Sequence, residues 1–81
     1  MGSVTVRYFA GAKAAAGRET EVVSLPDGAT LADLKALLAS REGFGAVCLA
    51  SSFLVDGSQA DAETELPGAA VVDVLPPFAG G

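Results

Sequence analysis

Val71-Val72-Asp73-Val74-Leu75-Pro76-Pro77-Phe78-Ala79-Gly80-Gly81 closes the sequence. Its first five residues are β-branched or aliphatic with one polar interruption. That pattern suits a strand covered on both faces better than one half in water, so a central place in a sheet is expected. Pro76 and Pro77 then remove two backbone donors and fix two φ angles, so ladder pairing should stop there while the chain stays extended. Gly80 and Gly81 have no Cβ, which lets the last residues pass a channel too narrow for any side chain. The expectation is a tail over about 76–81, flexible and clear of the fold, ending in the free carboxylate of Gly81. A terminal glycine pair by itself is often only a frayed end. A Pro-Pro spacer, an aromatic and then two glycines is a more restrictive pattern.

Upstream of that strand, Pro67-Gly68 reads as a turn and Asp61 to Glu65 as an acidic, solvated loop. Phe53-Leu54-Val55 followed by Asp56-Gly57 predicts a short strand entering a tight turn, with Ser58 to Ala60 as the return. Ala46 to Ala50 is apolar and ambiguous. Cys48 within it reads as a small buried filler, because the sequence has no histidine to serve as its base.

Thr30-Leu31-Ala32-Asp33 matches a capping box that opens a helix. Leu31, Leu34, Leu37 and Leu38 follow at spacings of three, four and seven, which predicts one apolar stripe lying across a sheet. Arg41 suits the negative end of that helix, and Gly43 with Gly45 is expected to end it. At the other end of the sequence, Ser3 to Phe9 alternates Val4, Val6 and Tyr8 against Thr5, Arg7 and Phe9, a strand period. Gly11 to Gly17 predicts one or two helical turns closed by Gly17. Arg18 to Leu25 predicts a strand paired back onto the first and ended by Pro26-Asp27-Gly28.

Strands in this order around one amphipathic helix predict a single two-layer α+β domain over 1–81, with the last strand beside the first. Ten acidic against five basic residues give a net charge of −5, which repels phosphate backbones and anionic lipid and argues against nucleic-acid or membrane partners. Hydrophobic content of 51% is high for so small a domain and points to an exposed apolar patch and a protein partner. One cysteine, no basic-then-apolar leader and no run long enough to span a bilayer lead to a cytoplasmic expectation.

Val6-Arg7-Tyr8-Phe9-Ala10, Thr30-Leu31-Ala32-Asp33-Leu34 and Leu75-Pro76-Pro77-Phe78-Ala79-Gly80-Gly81 together resemble the molybdopterin synthase small-subunit (MoaD) family of ubiquitin-like sulfur carriers, over essentially the whole chain. The resemblance implies a β-grasp fold, a mixed sheet with one main helix packed across it. It also implies a sulfur carrier rather than a free-standing enzyme. An E1-like, MoeB-type adenylyltransferase uses ATP to adenylate the terminal carboxylate, which becomes a thiocarboxylate. The sulfur then goes to the dithiolene of molybdopterin inside a MoaE-like large subunit, two small pairing with two large subunits in a heterotetramer. By this resemblance Gly81 bears the sulfur and Gly80 is the small residue that passes the partner's channel. Pro76, Pro77 and Phe78 set the exit and pack on the partner, and Lys13 falls near a basic partner-contacting position, the alternative being a solvated surface lysine. Leu75 and Phe53 are candidates for an apolar partner-facing patch, with core packing favoured for Phe53.

Two departures from the family are Pro67-Gly68-Ala69-Ala70, where acidic residues are common, and Asp56, where asparagine is common. No cofactor is expected on this chain, since it has no phosphate-binding glycine loop and no evident machinery to activate ATP or position a pterin. The alternatives are a sulfur carrier serving thiazole or cysteine synthesis, and a β-grasp interaction module without covalent chemistry.

Overall fold

A computed structural model describes residues 2–41 and 44–76 of the 81. The order is β1 (Gly2–Tyr8), α1 (Ala10–Ala16), β2 (Thr20–Leu25), α2 (Leu31–Ala39), α3 (Gly45–Ala50), β3 (Ser52–Val55), β4 (Ser58–Gln59) and β5 (Val71–Leu75). The strands form one sheet in the order β2-β1-β5-β3-β4. β5 lies between β1, to which it is parallel, and β3, to which it is antiparallel. The last strand therefore stands beside the first and in the middle, and the fold is the ubiquitin-like β-grasp.

Strand alternation sorts the side chains. Val4, Val6 and Tyr8 of β1, Val23 and Leu25 of β2, Phe53 and Val55 of β3, and Val72 and Val74 of β5 are buried in one cluster with Leu31, Leu34 and Leu38 of α2. Phe44 and Cys48 complete it, with the Tyr8 and Phe44 rings edge-to-face at 5.4 Å, the favoured aromatic geometry. Phe53 is thus a core residue. Asp56 and Gly57 both take positive φ, 49° and 84°, as a two-residue hairpin turn requires.

α2 begins as its sequence dictates. The Thr30 hydroxyl accepts from Asp33 N–H while Asp33 Oδ2 accepts from Thr30 N–H, so both halves of the capping box are made. Two more N–H groups of the first turn, on Leu31 and Ala32, donate to the carbonyls of Thr64 and Ala62 at 2.9 and 2.8 Å. The Asp61 to Glu65 segment, expected only as solvated loop, therefore also satisfies the helix start.

Four details differ from expectation. Leu37 is 40% exposed, because at 3.6 residues per turn it sits about 100° from Leu38, at the rim of the stripe. α2 ends at Ala39 with Ser40 as its cap rather than at the glycines; Gly45 instead opens α3, and Gly43 lies outside the described residues. Arg41 reaches Glu21 on β2. Finally, the helical residues of the core all pack on one face of the sheet, and on the other face Asp73, 7% exposed, is covered by a side chain of the neighbouring strand.

Candidate functional site

Parallel pairing of β1 with β5 brings their C-terminal ends to the same edge of the sheet. Phe9 N–H, just past β1, donates to Val74 O at 3.2 Å, so the corner where α1 begins is tied to the C-terminal part of β5. Leu75 is half-buried opposite Ser52 of β3. Pro76, also half-buried, has no N–H with which to extend the ladder.

On the open face beside this edge, Arg7 Nε and Nη2 donate to Asp73 Oδ1 and Oδ2 at 2.6 and 3.0 Å. Asp73 is the only buried charged residue among those described. A carboxylate taken out of water needs a charge-assisted, two-pronged partner of this kind. That hydrogen bond, and secondarily the carboxylate's charge, raise the Arg7 pKa further above its already high ordinary value. The guanidinium lies 5.7 Å from the centroid of the Phe9 ring, within cation–π range, and Phe9 is itself 39% exposed.

Lys13 projects from α1 and is exposed; its Nζ stands 3.7 Å from Glu19. It lines an open groove of about 310 Å³ together with Arg7, Phe9, Ala10 and Glu19. Ala10, at the turn between β1 and α1, has φ 49°, a left-handed conformation that costs a residue with a Cβ about 1 kcal/mol.

A second charged cluster lies on the helix side. Tyr8 Oη donates to Glu21 Oε1 at 2.6 Å, Arg41 donates to the same oxygen, and Arg18 stands 3.5 Å from Oε2. Burial pushes the Glu21 pKa up, but the hydrogen bonds from Arg41 and Tyr8 and the two arginine charges outweigh it and hold the carboxyl below its usual range. Burial, reinforced by Glu21, raises the Tyr8 phenol well above its ordinary value. These groups tie β1 and β2 to the segment after α2, and all their partners lie within the chain.

Cys48 is fully buried, and burial raises its thiol pKa, the opposite of what a nucleophile needs. Among the described residues no three His, Cys, Asp or Glu side chains gather to hold a metal.

Of the residues expected from sequence at the site, Lys13, Leu75 and Pro76 are described; Lys13 lies on α1 just after β1, and Leu75 and Pro76 lie at the C-terminal end of β5. Pro77, Phe78, Gly80 and Gly81 lie outside the described residues. Sequence reasoning passed over Arg7 and Asp73. Their signal was present: Asp73 is the lone polar residue of the strand expected to be central, and Arg7 is the lone cation in the first strand's polar set.

The family model for the ThiS family matches residues 6–81. The chain belongs to the ThiS family of ubiquitin-like sulfur carriers. Among solved structures, a ThiS-family chain can be laid on Pyrococcus furiosus molybdopterin converting factor subunit 1 with a TM-score of 0.84, at 27% identity over 96% of this chain and 100% of that one. A chain of the protein–protein complex of subunits 1 and 2 of the molybdopterin-converting factor from Helicobacter pylori matches at 26% identity over 98% of this chain and 99% of that one, TM-score 0.75. The small archaeal modifier protein 1 of Haloferax volcanii, 20% identical over 96% of this chain and 100% of that one with a TM-score of 0.78, shares the fold. No curated protein matches. No helix among the described residues is long and apolar enough to cross a membrane.

Proposed function

We propose that this sulfur carrier serves molybdopterin formation as the small subunit of molybdopterin synthase, with Gly81 as the residue that bears the sulfur. The observation that carries the reading is the placement of the tail's root. β5 is pinned between β1 and β3 up to Leu75, and Pro76 follows without an N–H to extend the ladder, at the end of the sheet where Phe9 N–H donates to Val74 O. The family match extends through residue 81, and of two solved structures more than 25% identical, one is named as a molybdopterin converting factor subunit 1 and the other as a complex of subunits 1 and 2 of such a factor.

The chemistry is divided between the chain and its partners. A carboxylate is a poor electrophile. An E1-like adenylyltransferase joins the Gly81 carboxylate to the α-phosphate of ATP with loss of pyrophosphate, and sulfur from a donor then displaces AMP to leave a thiocarboxylate. Its soft, anionic sulfur is the nucleophile that a MoaE-like large subunit directs at the pterin precursor. Gly80 and Gly81 give the tail the cross-section of bare backbone for entry into each partner. Pro76, Pro77 and Phe78 stiffen and seat its base, with Leu75 and Lys13 at the rim.

Intact-mass measurement after incubation with ATP, a sulfur donor and an adenylyltransferase tests the reading. Exchange of one oxygen for sulfur is expected on the full chain and not on a chain lacking Gly81; an unchanged mass with an enzyme that charges its own carrier refutes it. Dithiolene formation when the charged chain is mixed with a MoaE-like subunit, and none of the sulfur passing to a thiazole or cysteine synthase, is the expected pathway result. The reverse outcome reassigns the carrier.

A further inference from the structure

The two edges of the sheet are finished differently. β4 is two residues long, Ser58–Gln59, too short to template another strand. β2 closes the other side with six residues, Thr20-Glu21-Val22-Val23-Ser24-Leu25. It carries none of the devices that blunt an exposed edge: no lysine, no proline and no break in its register with β1. Its one charge, Glu21, is turned to the helix side and engaged by Tyr8, Arg41 and Arg18. Val22, on the open face opposite Thr5, is 68% exposed.

The hydrogen bonds of β1 show which groups of β2 face outward. Thr5 N–H and Phe9 N–H donate to Ala70 O and Val74 O on the β5 side, whereas Tyr8 N–H donates to Glu19 O. β1 thus turns its odd-numbered residues to β5 and its even-numbered ones to β2. Bonded and non-bonded pairs alternate in an antiparallel ladder, so Glu21 and Val23, opposite Val6 and Val4, bond to β1. Thr20, Val22 and Ser24 direct their N–H and C=O groups outward, and all three residues are exposed. No strand covers them among the described residues. These outward groups are self-complementary. Two copies of β2 set antiparallel about a two-fold axis at Val22 place Val22 against Val22 and Thr20 against Ser24, so every outward N–H meets an outward C=O. Glu21 then faces Val23 of the other copy. Moving the axis to Glu21 sets two carboxylates directly opposite each other, which is destabilising; moving it to Val23 sets Thr20 against Pro26, which has no N–H. The register centred on Val22 also brings Arg18, its side chain 55% accessible, across from the Pro26-Asp27 turn, a cation beside an anion.

We propose that β2 pairs antiparallel with β2 of a second copy of this chain about Val22, joining two five-stranded sheets into one. Strand addition of this kind buries little side-chain area, so the dimer forms at high protein concentration rather than as an obligate unit. At about 4.8 Å per strand the two β5 strands stand roughly 24 Å apart and run in opposite directions, so the C-terminal ends of both lie away from the interface. The inference is therefore separate from the proposed function.

Sedimentation equilibrium of the full chain from micromolar to millimolar concentration, together with directed cross-linking, tests the proposal. A bonded antiparallel pair has Cα atoms about 5.5 Å apart, within disulfide reach, and Cys48 is buried and does not compete. Val22→Cys is expected to form a covalent dimer under mild oxidation about tenfold or more faster than Thr20→Cys or Ser24→Cys alone, whose like residues stand roughly 13 Å apart in this register. A mixture of those last two should cross-link at a rate near that of Val22→Cys. Val22→Lys sets two ammonium groups against each other across the axis and should weaken association by about tenfold or more, while Gln59→Lys, on β4, should leave it unchanged. Both positions are exposed, and urea unfolding establishes that each variant is folded. A wild-type chain that stays monomeric throughout, equal cross-linking of the three single substitutions, full association of Val22→Lys, or an equal loss in Gln59→Lys overturns the proposal while the proposed function stands. Should Val22→Lys fail to fold, the cysteine variants decide alone.

Discussion

Two adjacent leucines in α2 make a sharp test of the packing argument. Leu38 is fully buried and Leu37 is 40% exposed, although the spacing of the sequence places both on the helix stripe. Truncating Leu38 to alanine removes three carbons, a transfer loss of about 2.4 kcal/mol at about 0.8 kcal/mol per carbon. Leu38 belongs to the central cluster under the sheet, where neighbours collapse only in part, so a cavity cost brings the total to about 3–4 kcal/mol. The same truncation at Leu37 loses only the buried share of that transfer, leaves no closed void and gains slightly in helix propensity, a net cost of about 1 kcal/mol. Against a total stability of about 5–15 kcal/mol, the first change threatens the fold and the second does not. Urea titration followed by far-UV circular dichroism, with the m-value held equal across the variants, measures both. In a thermal scan of the same variants the melting temperatures should separate by roughly 8–24 °C for a domain this small. Equal losses at the two positions would refute the assignment of Leu38 to the core and Leu37 to its rim.

Thr30→Ala removes the hydroxyl that accepts Asp33 N–H and should cost about 0.5–2 kcal/mol in the same titration, with Thr30→Ser close to wild type. Gly57→Ala places a Cβ at φ 84° and should cost about 1–2 kcal/mol without any steric contact being involved, so Asn at this position should recover part of the loss. Glu21 has a folded-state pKa below its ordinary value of about 4.5. Its stabilising contribution is complete above that pH and is lost as the pH falls through the lower folded value. The stability gap between wild type and Glu21→Gln should therefore narrow below about pH 4.5, and a gap that widens there would contradict the sign.

What the sequence made legible is what short-range chemistry decides. The alternation of Val4, Val6 and Tyr8, the Thr30 to Asp33 box, the Asp56-Gly57 turn and the Gly17 cap each need only a few neighbouring residues, and each is found in the structure. Val71 to Leu75 was readable as central because its composition requires neighbours on both sides. α3 was not readable: six residues give too little of the helical period to separate it from a buried strand. Leu37 was misjudged because a three- and four-residue repeat spreads leucines over an arc, and the sheet beneath covers only part of that arc.

The Arg7–Asp73 pair shows why the described part of the site was harder to read than the fold. Arg7 and Asp73 are 66 residues apart, and only the parallel register of β1 with β5 sets them opposite each other. Neither is unusual alone: an arginine on a strand's polar face is ordinary, and a single aspartate in an apolar run reads as an interruption. Once the two strands are placed side by side, the same alternation that buries Val72 and Val74 turns Asp73 to the opposite face. A carboxylate that is largely buried there requires a guanidinium. The step from fold to site therefore runs through strand register, which is why the helix cap and the turns could be read from neighbouring residues while this cross-strand pair could not.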